Sequence, residues 1–237
     1  MTISKVNGIA YTALAKVNGI AKAALSKVNG STKPGGGTPA TYTSQPNETD
    51  GIDIRIVSST PDTNYNAENI LCVGEINAGA SVQRTLIKFD LSSIPANATI
   101  VSATLSLWTA ADFSTNARDY KIYRVKRAWV EANATWNVYT TGNSWGTVGC
   151  SNTSTDYDTT VWATKNFGNA IANNTQMDFV FDATGLAELT KFIDGTNTNN
   201  GWIIRADTES EDAYTLHSSS GATAGFRPKL VIEYTTP

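Results

Sequence analysis

The stretch LIKFDLSSIPANATIVSATLSLW, from Leu86 to Trp108, carries two β-type segments separated by a short turn. The first belongs to the apolar run RTLIKFDL. The apolar residues of the second occur at every other position and are expected to share one face: Val101, Ala103, Leu105 and Leu107. Between the two segments, SSIPANATI contains Pro95, which a central strand does not accept. The stretch therefore predicts two strands joined by a turn.

Similar β-type runs continue from Ile52 to the end of the chain, each bounded by turn residues: IDIRIV, DYKIYRVKRAW, QMDFVFDAT, NGWIIRAD, AYTLHSS and RPKLVIEYT. One run differs, because GLAELTKFIDG spaces Leu186, Leu189 and Phe192 as a helix does. Regularly spaced strands with turn signals predict an all-β fold, an antiparallel two-sheet β-sandwich with one short helix, over residues 51–237.

A different pattern occupies residues 1–31, where Lys-Val-Asn-Gly begins at Lys5, Lys16 and Lys27. Asn-Gly flanked by Val and Ile predicts a hairpin, because both residues accept the positive φ of a type I′ turn. An Ala-rich helix from Ile20 to Lys27 and a floppy low-complexity tail are the alternatives. Strands this short form no core alone, so they need another sheet edge or copies of themselves. We therefore expect an attachment or assembly arm with these anchoring residues: Val6, Asn7, Gly8, Val17, Asn18, Gly19, Val28, Asn29 and Gly30.

The next segment, residues 32–50, contains Pro34, three consecutive glycines and Pro39. This composition continues neither a helix nor a central strand and predicts a linker between the arm and the body.

Four blocks of the body together resemble a known family: LIKFDLSSIPANATIVSATLSLW, YRVKRAWVEANATWN, NGWIIRAD and FRPKLVIEY. They are similar to the DNRLRE-type domains, which are grouped with carbohydrate-binding modules of family 96. The element W-x-E-x-x-A-T-W-N is formed here by Trp129, Glu131, Ala134, Thr135, Trp136 and Asn137. The resemblance implies a jelly-roll fold and non-catalytic binding of polysaccharide. The AKVNGIAKA repeat, in turn, resembles N-terminal segments of some tailed-phage structural proteins.

Few residues suggest catalysis, and the chain is expected not to be an enzyme. His217 precedes Ser218 and Ser219, but no nucleophile-elbow motif accompanies them. The acidic residues of RADTESEDAY are expected to lie in a solvated hairpin loop rather than to form a glycosidase pair: Asp207, Glu209, Glu211 and Asp212.

Two kinds of binding residue are candidates. Exposed aromatic rings can stack on sugars, and those in loop-like sequence are Trp145, Trp162, Tyr139 and Tyr157. Trp108, Trp129 and Trp202 lie in strand patterns and are expected in the core. Oxygen-rich loops can hold a structural calcium ion, with these candidate ligands: Asp53, Asp62, Asp156 and Asp158. Loop solvation is the alternative reading of these four carboxylates.

The amino-acid composition limits the kinds of partner that we expect the protein to bind. A net charge of −3 with 16% charged residues gives no basic field for nucleic acid. No apolar run is long enough to insert into a membrane, and the N-terminus shows no recognisable signal peptide. Cys72 and Cys150 can form a disulfide only if the fold brings them close together. The alternative is that both are small buried residues with free thiols.

The leading hypothesis is a virion structural protein at a virion or extracellular surface: a capsid-decoration, head-fibre or tail-associated protein. Its repeats would bind a capsid or tail protein, and its body would display a carbohydrate-binding-like domain towards polysaccharide. A cellular carbohydrate-binding or adhesion module and a self-assembling extracellular filament are the alternatives, and a homo-oligomer formed through the repeats is compatible with all three hypotheses.

Overall fold

The computed structural model describes residues 37–76, 81–112, 116–169, 171–210, 212–221 and 223–237, together with short strands of the arm. The arm strands are β1 Lys5–Val6, β2 Ile9–Ala10, β3 Lys16–Val17, β4 Ile20–Ala21, β5 Lys27–Val28 and β6 Ser31–Thr32. The body contains β7 Thr38–Ser44, β8 Ile52–Val57, β9 Ile70–Ile76, β10 Ser81–Lys88, β11 Thr99–Asp112, β12 Arg118–Val125, β13 Val138–Thr140, β14 Asn143–Ser144, β15 Tyr157–Phe167, β16 Gln176–Val180, helix α1 Ala183–Ile193, β17 Trp202–Ala206, β18 Ala213–His217, a 3-10 helix Ala224–Phe226 and β19 Lys229–Thr236.

Eleven strands of the body form one continuous antiparallel sheet that curls on itself. Its order is β15-β12-β17-β10-β9-β18-β11-β19-β7, with β16 paired to β11 and β8 paired to β10. Strands β13 and β14 form a separate small hairpin. The prediction of an all-β, antiparallel fold with one short helix is confirmed. The finer description, two separate sheets in a jelly roll, stays a prediction.

Strand β11 changes its pairing partners along its length. Its first part pairs with β19 and β16, whereas Thr109 and the residues after it pair with β18. The register shifts between Ile100 and Ser102. This bulge turns Val101 outwards, where it is 54% exposed, so its predicted place on the buried face of Leu105 was wrong.

The central strands are buried on both faces, because neighbouring residues point to opposite sides of a sheet. Leu86 and Ile203 join one cluster, which the segment 129–150 covers. Ile87 and Ile204 join the larger cluster inside the curl. Residues from both ends of the strand order meet in this inner core, so it holds the curl closed.

Helix α1 packs onto the inner core and confirms the one predicted helix. Its N-cap is Asp182, whose side chain accepts a 2.8 Å hydrogen bond from the Gly185 backbone N–H. Leu189 and Phe192 are buried on its inner face. A Cβ at Gly185 would lie 2.2 Å from the carbonyl oxygen of Trp162, so the helix approaches β15 closely at this glycine.

Residues that the sequence assigned to the linker contribute a strand to the sheet. Strand β7 pairs with β19 along its whole length, from Leu230 opposite Ser44 to Thr236 opposite Thr38. Residues 38–44 of the predicted linker 32–50 are therefore part of the body.

The arm strands form three antiparallel pairs, one in each repeat. Val17 lies opposite Ile20 and Lys16 opposite Ala21, and the other two repeats pair in the same way. The predicted hairpin pairing is confirmed, whereas the anchoring residues Asn7, Gly8, Asn18, Gly19, Asn29 and Gly30 lie outside the described residues. Their turn type and the anchoring role stay predictions.

Candidate functional site

Two cavities flank the turn that leads into β8. The larger one, here called the groove, encloses about 600 Å³ between the start of β8, the end of β10, the loop after it and the end of α1. Its apolar lining includes Ile52, Ile94 and Ile193. Its polar lining includes Asp50, Lys88, Asp90, Ser92 and Asn199.

The polar side of the groove is held in place by local hydrogen bonds. The Asp90 carboxylate accepts a 2.9 Å bond from the Ser92 backbone N–H, and its carbonyl accepts a 2.5 Å bond from the Tyr42 hydroxyl. The hydrogen bonds from Ser92, and then the charge of Lys88, lower the pKa of Asp90. Asn199 is fixed through a 2.9 Å bond from its Nδ2 to the carbonyl of Phe89.

The smaller cavity, here called the acidic pocket, encloses about 270 Å³ on the other side of the same turn. It is lined by Glu48, Asn66, Ala67, Asn69, Glu131 and Ser220. These residues come from four separated loops, which precede β8, precede β9, follow β12 and follow β18. Five of the six lining side chains carry oxygen, and none is basic.

Glu131, which lines this pocket, accepts a hydrogen bond from the backbone of a second acidic residue, Asp53, which does not line it. The Asp53 backbone N–H donates a 2.9 Å bond to Oε1 of Glu131, and Asp53 Oδ2 accepts a 2.9 Å bond from the Ser219 N–H. Asp53 is only 4% exposed, and its Oδ1 has no hydrogen-bond partner. Burial raises the pKa of Asp53 to about 7, the bonds from Ser219 lower it, and the charge of Glu131 raises it further. Burial also raises the pKa of Glu131, against the hydrogen bond from Asp53.

The two tryptophans predicted as sugar platforms are buried. Trp162 is 0% exposed and lies in β15, where its ring packs at 5.0 Å from the Phe192 ring and 5.7 Å from that of Trp202. Trp145 is 4% exposed, and its Nε1 donates a 3.0 Å bond to the carbonyl of Thr135. Neither ring presents a face to solvent, so neither can be the exposed platform that the sequence predicted.

The two predicted tyrosines are half-buried and packed against other side chains. The Tyr139 ring lies 5.6 Å from that of Trp145, with the Arg127 guanidinium 5.2 Å from its centre. The Tyr157 ring contacts Tyr123 at 5.5 Å. Neither tyrosine lines the groove or the acidic pocket. The expected core positions of Trp108, Trp129 and Trp202 are confirmed.

Three of the four carboxylates predicted to bind calcium accept hydrogen bonds from other groups of the protein. The buried Asp156 carboxylate accepts bonds from the backbone N–H groups of Gly146, Thr147 and Asn152 at 2.8 to 3.0 Å. Burial raises the pKa of Asp156, but these amides hold it below its usual value.

Asp158 and Asp62 also accept hydrogen bonds from other side chains or backbone groups. Burial opposes ionisation of Asp158, but bonds from Thr160 and Arg124 lower its pKa to about 2. The exposed Asp62 accepts a 2.8 Å bond from the Asn137 side chain. Throughout the described ranges, no group of three or more His, Cys, Asp or Glu side chains is placed to hold a metal.

The acidic run after β17 is solvated only in part, because Asp207 is exposed whereas Glu209 and Asp212 form ion pairs. Glu209 accepts two bonds from Arg84, from Nε to Oε1 and from Nη2 to Oε2, each 2.6 Å long. The buried Asp212 accepts a 2.6 Å bond from Nε of Arg118. Both are ion pairs within the fold, and their partners lie 125 and 94 positions apart, so no local sequence pattern indicated them.

His217 does not form a catalytic triad with the serines after it. Its Nε2 lies 2.9 Å from Oδ1 of Asn174, and burial lowers the pKa of the imidazole. The Ser218 hydroxyl donates instead to the carbonyl of Glu68 at 2.9 Å.

Cys72 and Cys150 are both buried and free, so the interpretation as small buried residues is confirmed.

A protein-family model described as "Disaggregatase related repeat domain" matches residues 53–232. The chain belongs to this family. The match runs from Asp53 in β8 into β19, and therefore covers the main domain but neither β7 nor the arm. No curated protein matches the chain. Among the described residues, no helix is long and apolar enough to cross a membrane.

Family membership corrects three predictions. The resemblance to DNRLRE-type domains with a separate N-terminal repeat was wrong, because the matching family is the disaggregatase-related one. The prediction that the chain is not an enzyme is contradicted by the description of the family, which names a disaggregatase. The description as a phage or capsid protein has no support from this family and is withdrawn.

Proposed function

We propose that this disaggregatase-related domain binds a neutral polysaccharide in the groove, and that the arm attaches or assembles the protein through its hairpins. The family name identifies no substrate, so the support for this proposal comes from the structure. The observation that supports the proposal is the groove itself, an open cavity with both apolar and polar side chains in its lining.

The size and chemistry of the groove favour sugars over a flat or fully apolar ligand. Its volume of about 600 Å³ lies within the range typical of ligand sites. Ile52, Ile94 and Ile193 offer aliphatic surface to the C–H face of a sugar ring. Asp90 and Asn199 can exchange hydrogen bonds with hydroxyl groups.

The charged residues that line the groove favour an uncharged polysaccharide as its ligand. Asp50 and Asp90 outnumber the single cation Lys88 in the lining of the groove. A polyanionic glycan would place further negative charge beside two carboxylates, which costs binding energy in a partly desolvated site. A neutral polymer meets no such repulsion.

The test is affinity electrophoresis and calorimetry of the full chain with neutral, acidic and amino polysaccharides. Ala96 is exposed and lines the groove, so Ala96→Trp fills the opening without disturbing the core. Ala172 is exposed and does not line the groove, so Ala172→Trp is the matched control. We expect Ala96→Trp to weaken binding at least tenfold and Ala172→Trp to leave it unchanged.

Two results would overturn this proposal. One is the absence of binding by the unmodified chain to every neutral polymer tested, and the other is equal binding by the two tryptophan variants. Stronger binding to acidic polymers would contradict the assigned substrate class.

A further inference from the structure

Strand β7 ends the sheet with an open edge. Within the described ranges it pairs with β19 alone, over seven residues and without a register shift. Its sequence is TPATYTS, which carries no charge, and Thr38, Thr41 and Thr43 are exposed. An edge strand presents a row of unpaired backbone N–H and C=O groups, and this row is a template on which another strand can pair.

Other strands of the body that pair with a single neighbour carry features that protect an edge. Strand β15, at the opposite end of the sheet order, contains Asp158 and Lys165, and register shifts interrupt its pairing with β12. Strands β8 and β16 also contain charged residues. Charges and bulges discourage pairing with another chain. In β7 only Pro39, at the second position, has this effect, and neither a charge nor a register shift follows it.

The arm supplies strands that need a larger sheet. Each repeat forms one antiparallel pair of two-residue strands. A hairpin of this size is at best marginally stable by itself and gains stability by joining further strands. The repeats recur every eleven residues, whereas the edge of β7 is seven residues long, so one edge holds one hairpin. Each chain therefore offers more hairpins than its own edge can take, and the surplus is available to other copies.

Net charge also favours contact between the arm of one copy and the body of another. Residues 1–36 contain five lysines and no acidic residue, whereas residues 37–237 contain 13 basic and 21 acidic residues. The first strand of each hairpin begins with a lysine. Beside the open edge, the exposed Glu233 of β19 lies directly opposite Thr41. Opposite charges of this kind attract the two partners and disfavour contacts between two arms.

We propose that the open edge of β7 is the docking surface for an arm hairpin of a second copy of this chain. The hairpin extends the sheet through main-chain hydrogen bonds, and its lysine adds attraction to the acidic body. The two contacting surfaces differ, so repetition of the contact from copy to copy links the bodies into an open assembly. This inference rests on the assembling role proposed for the arm and names the surface that the arm binds.

The test is light scattering of the full chain over a range of protein concentrations. Thr41→Lys/Thr43→Lys adds two positive charges at exposed positions of the edge, and we expect it to weaken association by about tenfold or more, because the arm is also positive. Thr41→Glu/Thr43→Glu changes the same positions with the opposite charge and should keep or strengthen association. Thr159→Lys/Thr164→Lys, at exposed positions of β15, is the matched control and should leave association unchanged.

The salt dependence of the association gives a second measurement. Raising NaCl from about 50 to about 500 mM should weaken association of the unmodified chain several-fold, because salt screens the attraction between exposed charges. The unfolding temperature of each variant is measured alongside, since all four substituted threonines are exposed and the variants should fold as the unmodified chain does.

Three results would overturn the inference. Unchanged association in Thr41→Lys/Thr43→Lys would place the contact on another surface, while the assembling role of the arm would stand. Equal weakening by the lysine and glutamate pairs would show that charge does not guide the contact. A monomeric full chain would leave the arm free to attach to a different protein or surface. Association that persists in a chain beginning at Gly37 would instead contradict the assembling role of the arm itself.

Discussion

The ion pair between Arg84 and Glu209 offers the sharpest quantitative test of the fold. Arg84 is 5% exposed and donates to both carboxylate oxygens of Glu209, to the carbonyl of Gly149 and to the hydroxyl of Ser151. Its guanidinium also lies 4.8 Å from the centre of the Trp136 ring. One side chain therefore joins β10 to two loops on the outer face of the sheet.

Removing only one partner of this ion pair should strongly destabilise the protein. Arg84→Met leaves the Glu209 carboxylate largely buried with only Arg205, at 3.5 Å, as a charged partner. Breaking a buried pair in this way costs about 3 to 5 kcal/mol of the free energy of unfolding. Removing both charges in Arg84→Met/Glu209→Met avoids the stranded charge, and should cost less than the sum of the single variants by about 2 to 3 kcal/mol.

The measurement is urea unfolding of the two single variants and the double variant. Additive losses, with a coupling within about 0.5 kcal/mol of zero, would refute the reasoning.

The pH dependence of the free energy of unfolding gives a second check. Burial opposes ionisation of Glu209, but Arg84 and Arg205 hold its folded-state pKa below the usual value. The pair therefore stabilises the protein above the unfolded-state pKa of about 4.3, and this advantage over Arg84→Met should disappear as the pH falls through the folded-state pKa.

Three further predictions concern single elements. Asp156→Ala should cost about 3 kcal/mol, because three backbone N–H groups lose their acceptor, whereas Asp62→Ala at an exposed carboxylate should cost under about 1 kcal/mol in the same unfolding assay. Gly185→Ala should destabilise the protein although alanine favours helices, because the new Cβ would lie 2.2 Å from the carbonyl of Trp162; a raised unfolding temperature would contradict this packing. A chain that begins at Gly37 should be monomeric in light scattering while the full chain associates, and two monomers would mean that the hairpins bind a different protein or surface.

The strands and the helix were predictable because their signals are local. The β-type pattern up to Leu107 and the helical spacing around Leu189 depend on neighbouring residues, and the structure confirms the strand and the helix, with Val101 turned outwards by the bulge. Trp162 was misplaced for an equally physical reason. Strand β15 lies at one end of the sheet order, so several of its positions are exposed and polar, and its sequence looks like a loop.

The two cavities were beyond the reach of sequence patterns. The residues of the acidic pocket are separated by up to about 170 positions between Glu48 and Ser220, and no period connects them. Asp53 was a calcium candidate from its oxygen-rich surroundings, but its unpaired oxygen is visible only in three dimensions. Strand β7 was missed because Pro39 and the adjacent glycines favour a linker, whereas pairing with the exposed edge of β19 overrides that local preference.

The turn between the two cavities contributes residues to the lining of both. Glu48 lines the acidic pocket, whereas Asp50 and Ile52 line the groove. The turn is already tight, because the Gly51 N–H donates a 2.6 Å bond to the carbonyl of Asn47, and a Cβ at Gly51 would lie 2.2 Å from Oγ of Ser219.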